Sequence, residues 1–426
     1  MQEINPSISF TKQKSLPALI AWCLYDWAGG AFAIIVMTFI FSTYFTTKVA
    51  VNEITGTYQW ANATSIAGII IALCSPLCGA IADHGGHHKR WMFVFTWISI
   101  ISSALLWFAY PNPHFVFYTL TCFVMGTVGL EIALVFYNAF LSYLAPKNYV
   151  GRISGWGWGC GYLGGIVALS IALFVFVRGK IPGLDPSTAA QIRLCGPFVA
   201  VWYAIFSLPF FFLVPAITTK AHPMKMAIKR GWHDLVKTLK RMPQERNIFL
   251  YLFAHMIYAD GLNTLFAFGG IYAAGTYGLS FQEVLLFGIT MNVTAGIGAI
   301  LFAWIDDYLG PRLTIFVSLF FLTILGIPIL FLHDKYIFWT FALFLAIFVG
   351  PVQSASRSLM VKLIAHKESA TEIFGLYALS GKITAFIGPW LLGFMTMTFG
   401  SQRAGMGTVL VFFVVGGILL IPVRVD

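Results

Sequence analysis

Twelve apolar runs, each close to the length needed to cross a hydrocarbon layer, divide this 426-residue chain and leave little sequence for anything else. They fall at roughly 17–46, 60–82, 90–110, 115–143, 153–177, 195–217, 247–273, 282–305, 313–332, 337–364, 371–398 and 405–423. A transmembrane helix needs about 20 apolar residues. Composition agrees: 59% of the residues are hydrophobic and 10% charged, whereas soluble domains are near half apolar and about a quarter charged. A soluble fold has no way to hide this much apolar surface, so an all-α polytopic membrane protein of twelve transmembrane helices is expected. Pro76, Pro209, Pro328, Pro351 and Pro389 lie inside the runs and read as kinks, because neighbouring helices can satisfy the carbonyls they free.

The positive charges orient the chain. With the N-terminus inside, the cytoplasmic side collects Lys12, Lys14, Lys89, Arg90, Lys147, Arg152, Arg312, Lys362, Lys367 and Arg424. To these the longest connection adds Lys220, Lys225, Lys229, Arg230, Lys237, Lys240, Arg241 and Arg246. That is eighteen, against six outside (Lys48, Arg178, Lys180, Arg193, Lys335, Arg403), while Arg357 and Lys382 fall within spans. Both termini are therefore expected in the cytoplasm, and the first run is read as a retained span rather than a signal peptide. The net charge of +10 sits in loops, where it sets topology and meets anionic lipid, so nucleic acid is not an expected partner. The six cysteines all lie in apolar runs and read as small core residues. Between Pro223 and Met242, Ile228, Trp232, Leu235, Val236 and Leu239 recur at helical spacing with basic residues opposite, the pattern of a helix lying on the inner leaflet and tethering two bundles.

The chain also repeats itself at about half its length. Tyr25-Asp26-Trp27 is echoed by Tyr258-Ala259-Asp260, Asp83-His84-Gly85-Gly86 by Asp307-Tyr308-Leu309-Gly310, and Gly155-Trp156 by Gly375-Leu376, with offsets of 234, 224 and 220 residues. Two six-helix halves in the same orientation, with a site between them near mid-membrane, follow from such a repeat. The expected division is a bundle at 1–220, an amphipathic cytoplasmic linker at 221–246 and a second bundle at 247–426.

Gly79-Ala80-Ile81-Ala82-Asp83, followed by Gly86 and Lys89-Arg90, resembles the loop motif between helices two and three of the major facilitator superfamily. Two departures are that His84, His87 and His88 stand where arginine or lysine is usual, and that Ala303 replaces the leading glycine in the second-half copy. Within the superfamily the chain is similar to the branch named for the autophagy-related vacuolar amino-acid effluxers, which has many bacterial members. The stretches that carry this are WCLYDWAGGAF at 22–32, FYNAFLSYLAP at 136–146, GRISGWGWGCGYLGG at 151–165, YADGLNT at 258–264, GPVQSASRSL at 350–359 and EIFGLYALSGKITAFIGP at 372–389. The resemblance implies the major facilitator fold, amino-acid efflux as the activity, and a central cavity lined by helices one, four, seven and ten.

A charge at the bilayer centre costs about 2.5–3.5 kcal/mol on insertion scales, so each such residue faces protein or water. Glu131 and Asp260 sit near the middles of spans four and seven, and either is a candidate proton-coupling group. The competing reading pairs such a carboxylate permanently with Lys382 or a helix terminus. Lys382, too deep in span eleven to snorkel easily, reads as an anchor for a substrate carboxylate or phosphate, as the partner of Glu131, or as both in turn. Asp26 either faces the cavity mouth or braces span one. Asn138 and Asn263 add hydrogen-bonding groups. Arg357 and Glu372 can pair across a short loop as a gate, to which the loop charges Asp83, Arg90, Asp307 and Arg312 also belong. Glycines at four-residue spacing in span five (Gly151, Gly155, Gly159 and Gly157, Gly161, Gly165) and in span eight (Gly288, Gly296, with Asn292 between) read as close-packing stripes where the halves rock. The three loop histidines lack a carboxylate shell, and no metal is expected.

The expected function is a secondary transporter moving a small polar solute such as an amino acid, coupled to protons as symporter or antiporter, acting as a monomer in a bacterial inner membrane. No nucleotide-binding GxxxxGK[ST] loop, clustered catalytic set or cofactor motif occurs, which argues against an ATP-driven pump and an intramembrane enzyme. The alternative, a transport-inactive receptor or scaffold, usually carries soluble segments that are not seen here.

Overall fold

The computed structural model describes residues 16–177, 185–217, 222–364 and 370–424. Lys12, Lys14, Arg178, Lys180, Lys220 and Lys367, all in the charge count above, lie outside them. Among the described residues there is no strand, and twelve long helical segments succeed one another. They are α1 (Leu16–Val49), α2 (Glu53–Gly85), α3 (His88–Phe108), α4 (Pro113–Leu144), α5 (Val150–Val177), α6 (Ala190–Leu213), α7 (Arg246–Tyr277), α8 (Phe281–Leu309), α9 (Pro311–Phe331), α10 (Lys335–Leu363), α11 (Ala370–Phe399) and α12 (Gln402–Leu420). Eleven are apolar as well as long enough to cross a membrane, and α7, of 32 residues, is diluted by His255, Asp260 and Asn263.

The ends are set by local chemistry. Asn52 caps α2 by accepting from the Thr55 N–H at 2.8 Å, and Ser280 and Glu283 form a reciprocal capping box on α8. The glycines three residues after Asp83 and Asp307 end α2 and α8: Gly86 has φ 67° and Gly310 φ 91°, a region glycine enters without a Cβ clash. This accounts for the aspartate–glycine spacing in both copies of the loop motif. Lys89 then reaches the C-terminal end of α6, donating to the carbonyls of Phe211 at 2.8 Å and Val214 at 2.5 Å.

Two helices are irregular. The ladder of α1 widens to i→i+5 over Phe32–Phe39 and again over Phe45–Val49, a form common beside functional sites. In α11 the helix breaks between Lys382 and Ile387. Pro389 has no N–H to offer Ala385, and the turn tightens to i→i−3 bonds, Ala385 N–H to Lys382 O at 3.2 Å and Ile387 N–H to Thr384 O at 2.7 Å. The other four span prolines stay within continuous helices.

Helices α1–α6 pack among themselves, as do α7–α12. The bundles meet mainly along α5–α8 and α2–α11. These contacts are backbone to backbone. A Cβ on Gly79 would strike the Thr371 carbonyl, one on Gly375 the Ser75 carbonyl and Pro76, and one on Gly155 the Ala299 carbonyl. The first glycine stripe of α5 faces α8 as expected, with Gly159 against Ile300 and Gly151 against Asp306. The second faces α1, where Gly161 and Gly165 lie against Asp26 and Gly30.

A further helix, Met224–Arg241, joins the bundles. Of the apolar stripe read as resting on the inner leaflet, Leu235 turns into the protein; the docked face is made by Ala227 and Gly231, against Gly85 and the Ala80–Ile81 backbone of α2. Ile228, Trp232 and Leu239 stay exposed at 48%, 59% and 48%. Small residues win this face because they allow the backbones to touch. Asp234 pairs with His84 at 2.9 Å, holding the helix over the end of α2. The side of the bundle carrying this helix is the linker face below.

Gly79→Leu should wedge α2 from α11, a clash of the kind that costs about 1–3 kcal/mol in packed interiors. We expect a lower unfolding temperature in detergent and faster labelling of cysteines introduced deep at the linker face. Native values for both would contradict the close packing described.

Candidate functional site

The two bundles part toward the face opposite the linker, and a cavity of about 920 Å³ lies between them. It runs from Asp26, in the linker-face third of α1, and Arg357, in the linker-face part of α10, to Trp60, Val284 and Phe338 near the opposite ends of α2, α8 and α10. Phe39 reaches across it from α1 toward Gly288 of α8.

Its floor is a buried ion pair between halves. Arg357 of α10, 3% exposed, donates from Nη1 to Asp26 Oδ2 of α1 at 3.1 Å and to Asn138 Oδ1 of α4 at 3.3 Å. Its Nε and Nη2 donate to the Ser154 hydroxyl at 3.0 Å and carbonyl at 2.6 Å on α5. Tyr137 donates to the same Asp26 oxygen at 2.8 Å. The guanidinium lies 4.7 Å from the centroid of Trp22 and 5.7 Å from that of Trp158, so aromatic faces cover what hydrogen bonds do not. Arg357 thus pairs with Asp26 and not with Glu372 as its place in the sequence suggested.

Above the floor a second pair crosses the cavity wall. Lys382 of α11 donates to Glu131 of α4 at 2.7 Å, with side chains 27% and 21% exposed. Both line the cavity, as do Asn138, Asn263, Asn292 and Gln353. Asn263 donates to the Gly381 carbonyl at 3.4 Å, beside Lys382. Gln353 accepts from Tyr162 across the halves.

Asp260 is elsewhere. It is 2% exposed and absent from the cavity wall, and its Oδ2 accepts the Gly388 N–H of α11 at 3.1 Å. The expectation that it lines the central cavity is corrected: at mid-α7 the cavity side is taken by His255, Tyr258 and Ala259, and Asp260 points around the helix toward α11. The two competing pairings weighed for these carboxylates, Lys382 and a helix terminus, are the ones observed for Glu131 and Asp260.

His255, passed over in the sequence, lines the cavity with its Nδ1 2.7 Å from the Ser380 hydroxyl. The Ser380 hydroxyl also lies 2.8 Å from the Tyr377 carbonyl, so it bridges the His255 ring and the α11 backbone. The ring stacks on Tyr377 at 4.1 Å. A lone histidine inside an apolar run, five residues before an aspartate, was the available signal.

At the linker face the loop-motif aspartates bind helix starts in the opposite half. Asp83 Oδ2 accepts the Glu372 N–H opening α11 at 2.8 Å while His88 holds Oδ1 at 3.0 Å. Asp307 accepts the Gly151 and Arg152 N–H groups opening α5 at 2.7 and 3.2 Å, and pairs with the Arg152 side chain at 3.1 Å. Anionic groups at helix N-termini satisfy otherwise unmade amides and the positive end of the dipole. The Glu372 carboxyl turns to Thr238 of the linker helix. Arg312 reaches the Ile421 carbonyl within its own half, and Arg90 is exposed. Of the loop histidines, His88 and His84 are held by Asp83 and Asp234.

The family model described as vacuole effluxer Atg22 like matches residues 48–426. The uncharacterized MFS-type transporter YxiO of Bacillus subtilis (strain 168) is 27% identical over 417 residues, 96% of this chain and 94% of that protein. Autophagy-related protein 22 of Cryptococcus neoformans var. neoformans serotype D (strain JEC21) is 24% identical over 299 residues, 64% of this chain and 51% of that protein, so the match spans about half of the fungal relative. Among solved structures, the major facilitator superfamily transporter FucP in its outward conformation superposes with a TM-score of 0.76 at 14% identity, covering 97% of this chain and all of that one (100%). The proton:xylose symporter XylE gives 0.74 at 12% identity, over 96% and 95% of the two chains. At such identities the likeness is one of fold: this is the twelve-helix major facilitator architecture, in a multi-pass integral membrane protein.

Removing one member of a buried pair leaves the other charge unpartnered, at about 3–5 kcal/mol. Asp26→Ala should therefore lower the unfolding temperature sharply, and Asp26→Asn with Arg357→Gln together should lose less than the sum of the single changes. Additive losses in a thermal-unfolding double-mutant cycle would show that the two side chains are not coupled.

Proposed function

The chain belongs to the vacuole effluxer Atg22-like family, and from that premise we propose that this transporter carries an amino acid by alternating access, coupled to protons. The observation that carries the reading is the Glu131–Lys382 pair, an anion and a cation 2.7 Å apart in the cavity wall, one from each half and both partly exposed. A zwitterion brings one carboxylate and one ammonium. It can take Lys382 with the first and Glu131 with the second, replacing an internal pair by two charge-assisted bonds so that neither charge is stranded in a poorly solvated cavity. Binding then draws α4 and α11 onto the solute, which favours closing the cavity around it. Asn138, Asn263 and the His255 ring offer further contacts to the rest of the solute. Without solute, a proton on Glu131 would free Lys382 and give the proton linkage.

The deeper Asp26–Arg357 pair, 14% and 3% exposed, serves as the floor and as a latch, together with the Asp83 and Asp307 contacts at the linker face. These must open for the solute to leave on that side. The count of eighteen basic residues against six supports a linker face in the cytoplasm. A bacterial inner membrane, a monomeric carrier and export across that membrane complete the reading.

Purified chain in proteoliposomes, screened with radiolabelled amino acids with and without a pH gradient, tests it, with a neutral sugar as control. Glu131→Gln and Lys382→Gln should each lower uptake of the accepted amino acid at least tenfold, and Glu131→Gln should weaken its response to the gradient. Uptake indifferent to both substitutions would remove the site assignment.

A further inference from the structure

Asp260 reaches out of α7 to the break in α11 between Lys382 and Ile387. Its Oδ2 holds the Gly388 N–H at the second position of the half-helix Ile387–Phe399, while its Oδ1 is buried with no hydrogen-bond partner. In an unbroken helix the Gly388 N–H would bond Thr384 O, but that carbonyl is taken by the Ile387 N–H at 2.7 Å. The space is made to fit: a Cβ on Gly388 would meet the Thr264 hydroxyl and Asp260 Oδ1. No cation attends the carboxyl among the described residues. On α7, His255 is engaged with Ser380 and Tyr258 with the Ser356 hydroxyl at 2.7 Å. On α11, Tyr377 is stacked on His255 and Lys382 is held by Glu131, and on α12 Arg403 lies on the Leu330 carbonyl at 3.0 Å. What Asp260 faces is the positive end of a half-helix and, on its other oxygen, nothing.

We infer that Asp260 is a proton-binding hinge residue, separate from the cavity, whose protonation state sets the bend of α11. When ionised it caps the half-helix and holds the break open, as an anion at a helix start does. The upper half of α11 then leans on α12, where Gly405 fits against Thr396 and Leu392, while the lower half stays on α2. When a proton is taken up from water onto Oδ1, the charge and most of its attraction for the helix dipole go. The Gly388 N–H can then return to Thr384 O, and the upper half straightens along α2, narrowing the cavity on the face opposite the linker. Lys382 is the last residue of the lower half-helix, so the same motion acts on its bond to Glu131. The inference deepens the proton linkage of the carrier reading and rests on alternating access, not on which solute is carried.

The test is a distance measurement by pulsed electron double resonance on the full chain in lipid nanodiscs, with its six cysteines replaced by serine. Spin labels go at Val51 and Tyr336, 70% and 71% exposed on the opposite face of the two halves. In the otherwise native chain, mild acid should shift the distribution to shorter distances. In Asp260→Asn the short population should prevail at both mildly acid and mildly alkaline pH, with the shift lost, whereas Glu131→Gln should keep it. Should Asp260→Asn not fold, Gly388→Ala, which pries the carboxyl from the amide, should be pinned in the same short population. A native-size pH shift in Asp260→Asn or Gly388→Ala, or none in the native chain, overturns the hinge. Because the labels report shape, a chain that moves no amino acid but keeps this pattern would fail the solute assignment alone.

Discussion

Hydrocarbon offers no hydrogen bonds, so every charge and every loose helix end within these spans has to find its partner in the protein itself. The arrangement of the molecule follows from how few partners are available. Two cations lie within spans, Arg357 and Lys382, and each is met by a carboxylate from the other half, Asp26 and Glu131. Three further aspartates turn to the positive ends of helices, Asp83 to the start of α11, Asp307 to the start of α5, and Asp260 to the restart of α11 after its break, while the buried Asp306 accepts from the Ser358 hydroxyl. The pairs that satisfy the lipid constraint are also the contacts that hold the halves together, and stability and conformational state are therefore governed by the same few bonds.

The two ion pairs differ in a way that assigns them different work. Arg357 spends four of its five N–H donors on Asp26, Asn138 and Ser154 and is shielded by rings, so it has little left to offer a ligand. Lys382 is a point charge with a single carboxylate and open space beside it. In the carrier proposed above, the first pair closes the floor and the second exchanges with solute, and arginine for the one and lysine for the other matches the geometry each side chain supplies.

Much of this was legible in the sequence, and the rest was hidden for physical reasons. Span count, halves and loop motifs depend on run length and repeated residues, which need no third dimension. The Glu131–Lys382 pair was foreseeable because few ionisable groups sit that deep, and depth alone nearly forces them together. Arg357 was matched to Glu372 by closeness along the chain, whereas its partner is 331 residues away on α1. Asp260 was placed in the cavity because mid-span position says how deep a residue lies and not which way it faces. Pro389 read as a kink, yet a kink becomes a break only when something outside the helix accepts the freed amide, and that acceptor is on α7. For the linker helix, hydropathy marked Trp232 and Leu239, while docking was decided by Gly231, whose value lies in having no side chain.

The glycine contacts between α2 and α11 and between α5 and α8 have a mechanical corollary. Side chains that interlock must change rotamer before two surfaces can separate, and each change adds friction. Smooth backbones pressed together have no teeth to disengage. In the proposed alternating-access cycle such a seam would act as a bearing whose resistance comes from a handful of aspartate clasps, so that the speed of its swivel would be set by electrostatics at those clasps more than by the fit of the surfaces that slide.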